Sequence, residues 1–394
     1  MDQLPALLGG KPAFSNKVPM VRPVLPDYSE VEVGVQQILA SGMVTKGRFL
    51  AEFEDALARH LGVKHAVAVS SCTSGLMLTY RALGLTGDVI VPSFTFMATV
   101  SALVWNGLRP VFADVHPGTT NLDPQVVEAA ITPQTTAIVA VHNFGNPADI
   151  QALQAIAERH SLKLVFDAAH GFGARYQGVP VGKQADAQVF SLSPTKLLIT
   201  GEGGVVATMD DELARMIRMG REYGSDGNYD TVFPGLNARM PEFNALLGLH
   251  SLENLEHAAE SRNETAALFH EALGRIPGIG FQEVRPGDRN SYREFSVTID
   301  PDEFGLTRDE IVVALAAENI DSRKYYEPPV HCQTAYRSYF DGTPLPNTEW
   351  LASHSISLPM WTDMDSSVSL QICEAFQRIH MSARGIRDKL AVQG

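Results

Sequence analysis

The chain has 394 residues and carries 31 Lys plus Arg against 45 Asp plus Glu, a formal net charge of −14 at pH 7. That acidic balance excludes nucleic acid and anionic membranes as main partners, because both are gripped through clustered Lys and Arg, so an anionic ligand needs a local pocket. The length suits about two domains with a large core, and 45% apolar residues argue against disorder.

Residues 1–28 are rich in Gly and Pro and read as an extended arm that packs on something else. Regular structure is expected after Pro26. Val31, Val35, Ile38 and Leu39 recur at helical spacing, with Ser29 as a cap and Gly42 as a stop. A second helix shows Phe49, Phe53, Leu57 and Leu61 on one face and ends at Gly62.

Short apolar runs then alternate with helical stretches. The runs are 65–70, 89–92, 110–115, 136–141, 163–167 and 187–191, and the segment 149–160 between two of them has helical periodicity. Continuous apolar strands separated by helices predict an α/β fold, a mostly parallel sheet covered on both faces, with ligands at the carboxyl ends of its strands. After Thr208 helices dominate 211–275, and a shorter mixed region follows. The expected organisation is the arm, a large domain over 29–254 and a smaller α+β domain over 255–394, with no internal repeat.

Four segments near strand ends could carry chemistry. SSCTSG at 70–75 follows the run AVAV and opens a helix near Thr73. Its small residues and free amides could cradle an anion, although alone it reads as an ordinary strand-to-helix turn capped by Ser or Thr. It lacks the glycine spacing of a Walker loop or a dinucleotide fingerprint. PSFTFMAT at 92–99 offers an aromatic that could stack on a cofactor ring or simply join the core.

In FDAAH at 166–170, a carboxylate ending a buried strand needs a cation or several donors. The protonated ring nitrogen of pyridoxal phosphate would be such a cation, and a helix-capping Asp beside a packed His is the other reading. In FSLSPTKLLITGEGG at 190–204, Lys196 lies between a Pro-Thr turn and an apolar triplet. Desolvation there would lower its pKa and free the amine for Schiff-base formation, whereas most loop lysines keep their charge in water. Anion cradle, carboxylate and lysine, in that order and each after a strand, favour the chemical reading.

With these motifs the chain resembles the pyridoxal-phosphate-dependent nucleotide-sugar aminotransferases of the DegT/StrS type, a branch of the fold-type-I, aspartate-aminotransferase-like superfamily, which implies a large domain on a mostly parallel, seven-stranded-type sheet flanked by helices. The resemblance covers nearly the whole chain. It includes SGMVTKG at 41–47, PVFADV at 110–115, HNFGNP at 142–147, GLNARM at 235–240 and SRKYYEPPVH at 322–331. It implies that Lys196 carries the Schiff base, Asp167 pairs with the pyridine nitrogen, Phe96 stacks on the ring and His170 lies close by. The phosphate would be held by the amides of Thr73 and Ser74, by Ser191, and by Asn237 from a neighbouring subunit, so a homodimer with shared sites is implied. Lys324, Tyr325 and His331 become substrate-side candidates, and Lys46, Arg323 and Lys324 the local cations for the ligand's phosphates.

Many relatives have a glycine where this chain has Cys72. Related sugar dehydratases replace the lysine with histidine, whereas Lys196 here favours amino transfer. The implied reaction moves an amino group from L-glutamate to a nucleotide-linked keto-6-deoxysugar, with dTDP as the nucleotide and C4 favoured over C3. A keto-cyclitol aminotransferase, an aminohydroxybenzoate-type synthase and a non-catalytic cofactor-binding regulator are the competing readings. Cys72, Cys332 and Cys373 are widely spaced without a C-x-x-C pair. Neither a disulfide framework nor a metal site is expected, and with no leader or long apolar run a cytoplasmic setting follows.

Overall fold

The computed structural model describes residues 4–393. The first three residues of the expected arm lie outside that span. The arm packs on its own chain: the amides of Ala6 and Ala13 donate to the Glu318 carboxylate at 2.9 and 2.7 Å, and the Val18 amide donates to the Asn319 carbonyl at 2.8 Å.

Helix α1 spans Tyr28–Ser41, starting two residues earlier than a Ser29 cap requires. Its cap is Asp27, in a reciprocal box with Glu30, because a carboxylate at that position reaches the first-turn amides while Ser29 is already helical. Gly42 ends it with φ 68°, a left-handed conformation that costs glycine little. Helix α2 (Arg48–Leu61) begins against an unusual cap from far along the chain. The buried Glu242 carboxylate accepts from the amides of Gly47, Phe49 and Leu50 at 2.9, 2.8 and 3.0 Å.

Glu242→Ala should therefore cost about 2–4 kcal/mol in denaturant unfolding, since it strands buried donors at a positive helix end. A change below about 0.5 kcal/mol, the usual effect of a surface substitution, would refute this role.

Strands β1 (His65–Val69), β2 (Asp88–Pro92), β3 (Arg109–Ala113), β4 (Thr135–Val141) and β5 (Lys163–Asp167) alternate with helices α3 (Cys72–Ala82), α4 (Ala98–Trp105), α5 (Pro124–Ala129) and α6 (Ile150–His160). A small hairpin, β6 (Arg175–Tyr176) with β7 (Val179–Pro180), precedes β8 (Ala187–Ser191) and β9 (Gly204–Thr208). The large sheet has order β1-β9-β8-β5-β4-β2-β3. The strand absent from the sequence reading is β9. It runs antiparallel to both neighbours, entered from a Gly-rich turn rather than a helical crossover.

Side chains alternate cleanly across this sheet. Ala66, Ala68, Ile90, Ile138, Ala140, Leu164 and Phe166 pack with Phe53, Leu57 and Leu61 of α2 and Leu153 and Ile156 of α6. Val67, Val69, Val89, Val91, Val139 and Val165 pack with Leu76 and Leu78 of α3, Val100 and Leu103 of α4, and Leu213 and Ile217 of α7 (Asp211–Gly220). Burial on both faces is what makes these strands unbroken apolar runs.

Helices α8 (Glu242–Glu253) and α9 (Leu255–Leu273) lead into a three-stranded antiparallel sheet, β10 (Ile279–Phe281), β11 (Phe295–Ile299) and β12 (Ser355–Leu358). Phe269, Phe295, Ile356, Ile372 and Phe376 anchor its separate core, which Val18 of the arm joins. Among the described residues no helix is long and apolar enough to cross a membrane.

Candidate active site

Six of the seven large-sheet strands point the same way, so the segments after β1, β2, β5 and β8 meet at one edge. There they line a cavity of about 390 Å³ together with Arg293, Glu294, Tyr325 and Tyr326. Of the predicted residues, Thr73, Phe96, Asp167, His170, Ser191, Lys196 and Tyr325 line it.

Helix α3 presents its N-terminus to the cavity. Ser71 caps it, and the Ser74 amide donates to Ser71 Oγ at 3.1 Å, so Ser74 is engaged in the cap. The amides of Cys72 and Thr73, at the first two helical positions, have no carbonyl partner within the helix and are the ones available to an anion. Gly204 lets the helix start come this close, because a Cβ there would lie 2.5 Å from the Ser71 carbonyl carbon.

Asp167 ends β5 with 4% of its surface exposed. Thr99 Oγ1 donates to its Oδ2 at 2.7 Å, the Ala169 amide to Oδ1 at 3.0 Å, and Cys72 Sγ approaches Oδ1 at 3.8 Å. Burial nevertheless pushes this carboxyl above its ordinary pKa, with the Thr99 and Ala169 bonds opposing the shift. A carboxylate in this state is short of a cation. Next to it, His170 is pushed well below the ordinary imidazole value by burial and then by the positive charges of Lys196 and Arg293, and its Nδ1 has no partner. Its ring is therefore neutral near pH 7.

Lys196 follows β8 in a turn closed by its amide bonding to the Ser193 carbonyl at 3.0 Å. Burial, reinforced by Arg293, lowers its amine to about 7. No hydrogen bond or ion pair holds Nζ among the described residues. Ser191 Oγ lies 3.4 Å from Ser193 Oγ at the same rim. Phe96 lines the cavity and remains 53% exposed.

Besides Ser74, held in the cap and absent from the lining, the structure sets three predicted residues apart from this cavity. Asn237 stands exposed at an antiparallel bridge with Glu222. His331 is buried behind the end of β2, bonded to Ser93 Oγ at 2.7 Å and packed on Phe112 and Phe340. Lys324 pairs at the surface with Asp309 and Glu327 at 3.1 and 3.5 Å. Lys46 and Arg323 are likewise paired, with Glu222 at 3.2 Å and Asp321 at 2.7 Å. The charges the sequence reading passed over are Arg293 and Glu294, 6% and 4% exposed in the cavity wall. Thr99 was also passed over, although its place one turn after Phe96 in the 92–99 motif was a usable signal. For Arg293 and Glu294 there was none, since they immediately precede β11, the central strand of the other sheet.

Residues 28–377 match the model of the DegT/DnrJ/EryC1/StrS aminotransferase family. The chain is 35% identical over 361 residues to the spore coat polysaccharide biosynthesis protein SpsC of Bacillus subtilis (strain 168), covering 88% of this chain and 93% of that one. The crystal structure of DesI in the presence of its TDP-sugar product superposes with a TM-score of 0.91 at 37% identity, over 99% of each chain. DesV of S. venezuelae, in complex with a ketimine intermediate, gives 0.86 at 34% identity over 93% of this chain and 99% of that one. Helicobacter pylori PseC, an aminotransferase of pseudoaminic acid biosynthesis, gives 0.87 at 27% identity over 93% and 100%.

Proposed function

The chain belongs to the DegT/DnrJ/EryC1/StrS aminotransferase family, and from that premise we propose that it moves an amino group from L-glutamate to the keto carbon of a dTDP-linked keto-6-deoxysugar, with pyridoxal 5′-phosphate in the cavity. The observation that carries this reading is the convergence of an unpartnered, desolvated Lys196 amine and a cation-short Asp167 carboxylate in one cavity. The residues present fit the cofactor: open amides at the α3 N-terminus and the Ser191 hydroxyl suit its phosphate, and half-buried His170, whose Nδ1 has no partner among the described residues, lines the same space.

When bound, the cofactor supplies an electron sink for the carbon that loses or gains the amino group. Lys196 would hold it through its amine and would carry a proton at that carbon as general base and then general acid. Asp167, fixed by Thr99 and Ala169, keeps a negative charge where the ring nitrogen must stay protonated. Cys72 and Thr73 bind the phosphate through their amides, and Phe96 covers a ring face and excludes water from it.

The TDP-sugar product of DesI supports the nucleotide, and C4 is favoured over C3 on the overall resemblance to this family. A homodimer with shared sites completes the reading. It is supported by Asn237 standing exposed outside its own cavity, and by Tyr28, Val33, Leu39, Met43 and Val44 lying exposed along and just after α1. The three free cysteines suit a cytoplasmic setting.

Incubation with L-glutamate and a dTDP-4-keto-6-deoxyhexose should release 2-oxoglutarate and give an amino sugar with the nitrogen on C4 by NMR. A 3-amino product corrects the regiochemistry, and no amine transfer from any donor overturns the reading.

A further inference from the structure

A reaction in two halves asks one cavity to accept, in turn, a dicarboxylate amino acid and a sugar whose reacting ring bears hydroxyls and no charge. Lys46, Arg323 and Lys324 are paired outside the cavity, and among the described residues lining it the basic side chains are Lys196, Arg293 and the neutral His170. Arg293 is bonded through Nη1 to the carboxylate of its neighbour Glu294, while its buried Nε has no partner. A guanidinium is a planar fork of five donors, and a carboxylate that takes two of them at once binds most strongly. Here Nε, on one edge of the fork, is buried without a partner among the described residues.

The backbone beneath this pair is fixed. Arg262 Nη1 donates to the carbonyls of Tyr292 and Arg293 at 3.2 and 3.3 Å, Asn263 Nδ2 to the Asn290 carbonyl at 2.9 Å, and Ser291 Oγ to the His170 carbonyl at 2.7 Å. Any adjustment on ligand binding therefore belongs to the two side chains. A lone buried guanidinium would be costly while a neutral sugar fills the cavity, and a permanently saturated one could not recruit an anion.

We propose that Arg293 and Glu294 form a counter-ion exchange pair, in which Arg293 binds a carboxylate of the amino donor and Glu294 takes that carboxylate's place whenever the sugar or no substrate is bound. The proposal rests on the aminotransferase reading for the identity of the two ligands. It makes Glu294 an internal competitor of the donor, which gives its removal a sign opposite to that of removing Arg293.

The test is calorimetric titration of glutarate, a dicarboxylate with no amine, into cofactor-loaded and cofactor-free protein, with folding checked by circular dichroism. Arg293→Gln should weaken glutarate by about 10-fold or more, the worth of a charged bidentate contact. Glu294→Gln should tighten it several-fold, and Glu294→Asp, which shortens the carboxylate's reach, should shift it in the same direction by less. Should Glu294→Gln fail to fold, the Glu294→Asp variant and the Arg293→Gln/Glu294→Gln double variant decide, the latter binding glutarate as weakly as Arg293→Gln. Unchanged affinity in Arg293→Gln, or weaker affinity in both Glu294 variants, overturns the proposal. Failure of the wild-type enzyme to release 2-oxoglutarate from L-glutamate would instead sink the aminotransferase reading, and the glutarate result stands apart from it.

Discussion

Lys196→Ala should lower turnover by about 10⁴-fold or more while leaving the fold intact, because it removes both the attachment point and the proton carrier. The geometry accounts for the size of the effect. Nζ has no competing bond, and burial with Arg293 nearby brings its pKa down to about 7. An ordinary lysine would be almost wholly protonated at pH 7, whereas here a substantial share is the free amine that can attack a carbonyl carbon. The sign for pH follows: capture of pyridoxal phosphate by the cofactor-free protein, followed by visible absorbance, should accelerate as pH rises through about 7 and level off above it. Borohydride treatment of the loaded wild type should leave the cofactor on the peptide containing Lys196, and on no peptide of the variant. Label on a different lysine, or turnover near normal in Lys196→Ala, would overturn the assignment.

Asp167→Asn should lower turnover by about 10²–10³-fold, the scale of losing one preorganised electrostatic contact, with the cofactor still bound. Asparagine keeps the shape and can still accept from Thr99, but it cannot balance a protonated ring nitrogen. A second measurement separates this role from a structural one. The carboxyl of Asp167 is disfavoured by burial when no cation faces it. The substitution should therefore leave the cofactor-free protein as heat-stable as the wild type or more so, while reducing the stabilisation gained on loading. A variant with near-normal rates, or equal losses of stability in both states, would be incompatible with Asp167 as the ring-nitrogen partner.

These two residues were legible in the sequence because each lies at, or within a short turn of, the end of a strand that shows itself as an apolar run. The same holds for Thr73, Phe96 and Ser191, whose neighbours in the chain are also their neighbours in space. β9 escaped because five residues after a Gly-rich turn, returning antiparallel, carry no crossover helix to announce them. The cap falls at Asp27 rather than at Ser29 because an apolar spacing locates a helix without locating its first amide. The surroundings of the cations were illegible for a different reason. A sequence shows that Lys46, Arg323 and Lys324 are charged, but not that Glu222, Asp321 and Asp309 stand beside them. Nor does it show that Arg293 and Glu294, at the start of a strand of the second sheet, are buried against residues of the first.

The position of β9 has a consequence for how such a protein can diversify. Since β9 separates β1 from β8, the cradle after β1 and the Ser191 rim after β8 are spaced by two inter-strand steps, roughly 9–10 Å. That width is a dimension of a hydrogen-bonded lattice, and changing it means unzipping the sheet. The residues facing the rest of the cavity, Arg293, Glu294, Tyr325 and Tyr326, hang from segments outside that lattice. The anchoring end of the cavity is thus a fixed gauge, and the opposite wall can be rewritten for a new substrate without disturbing it.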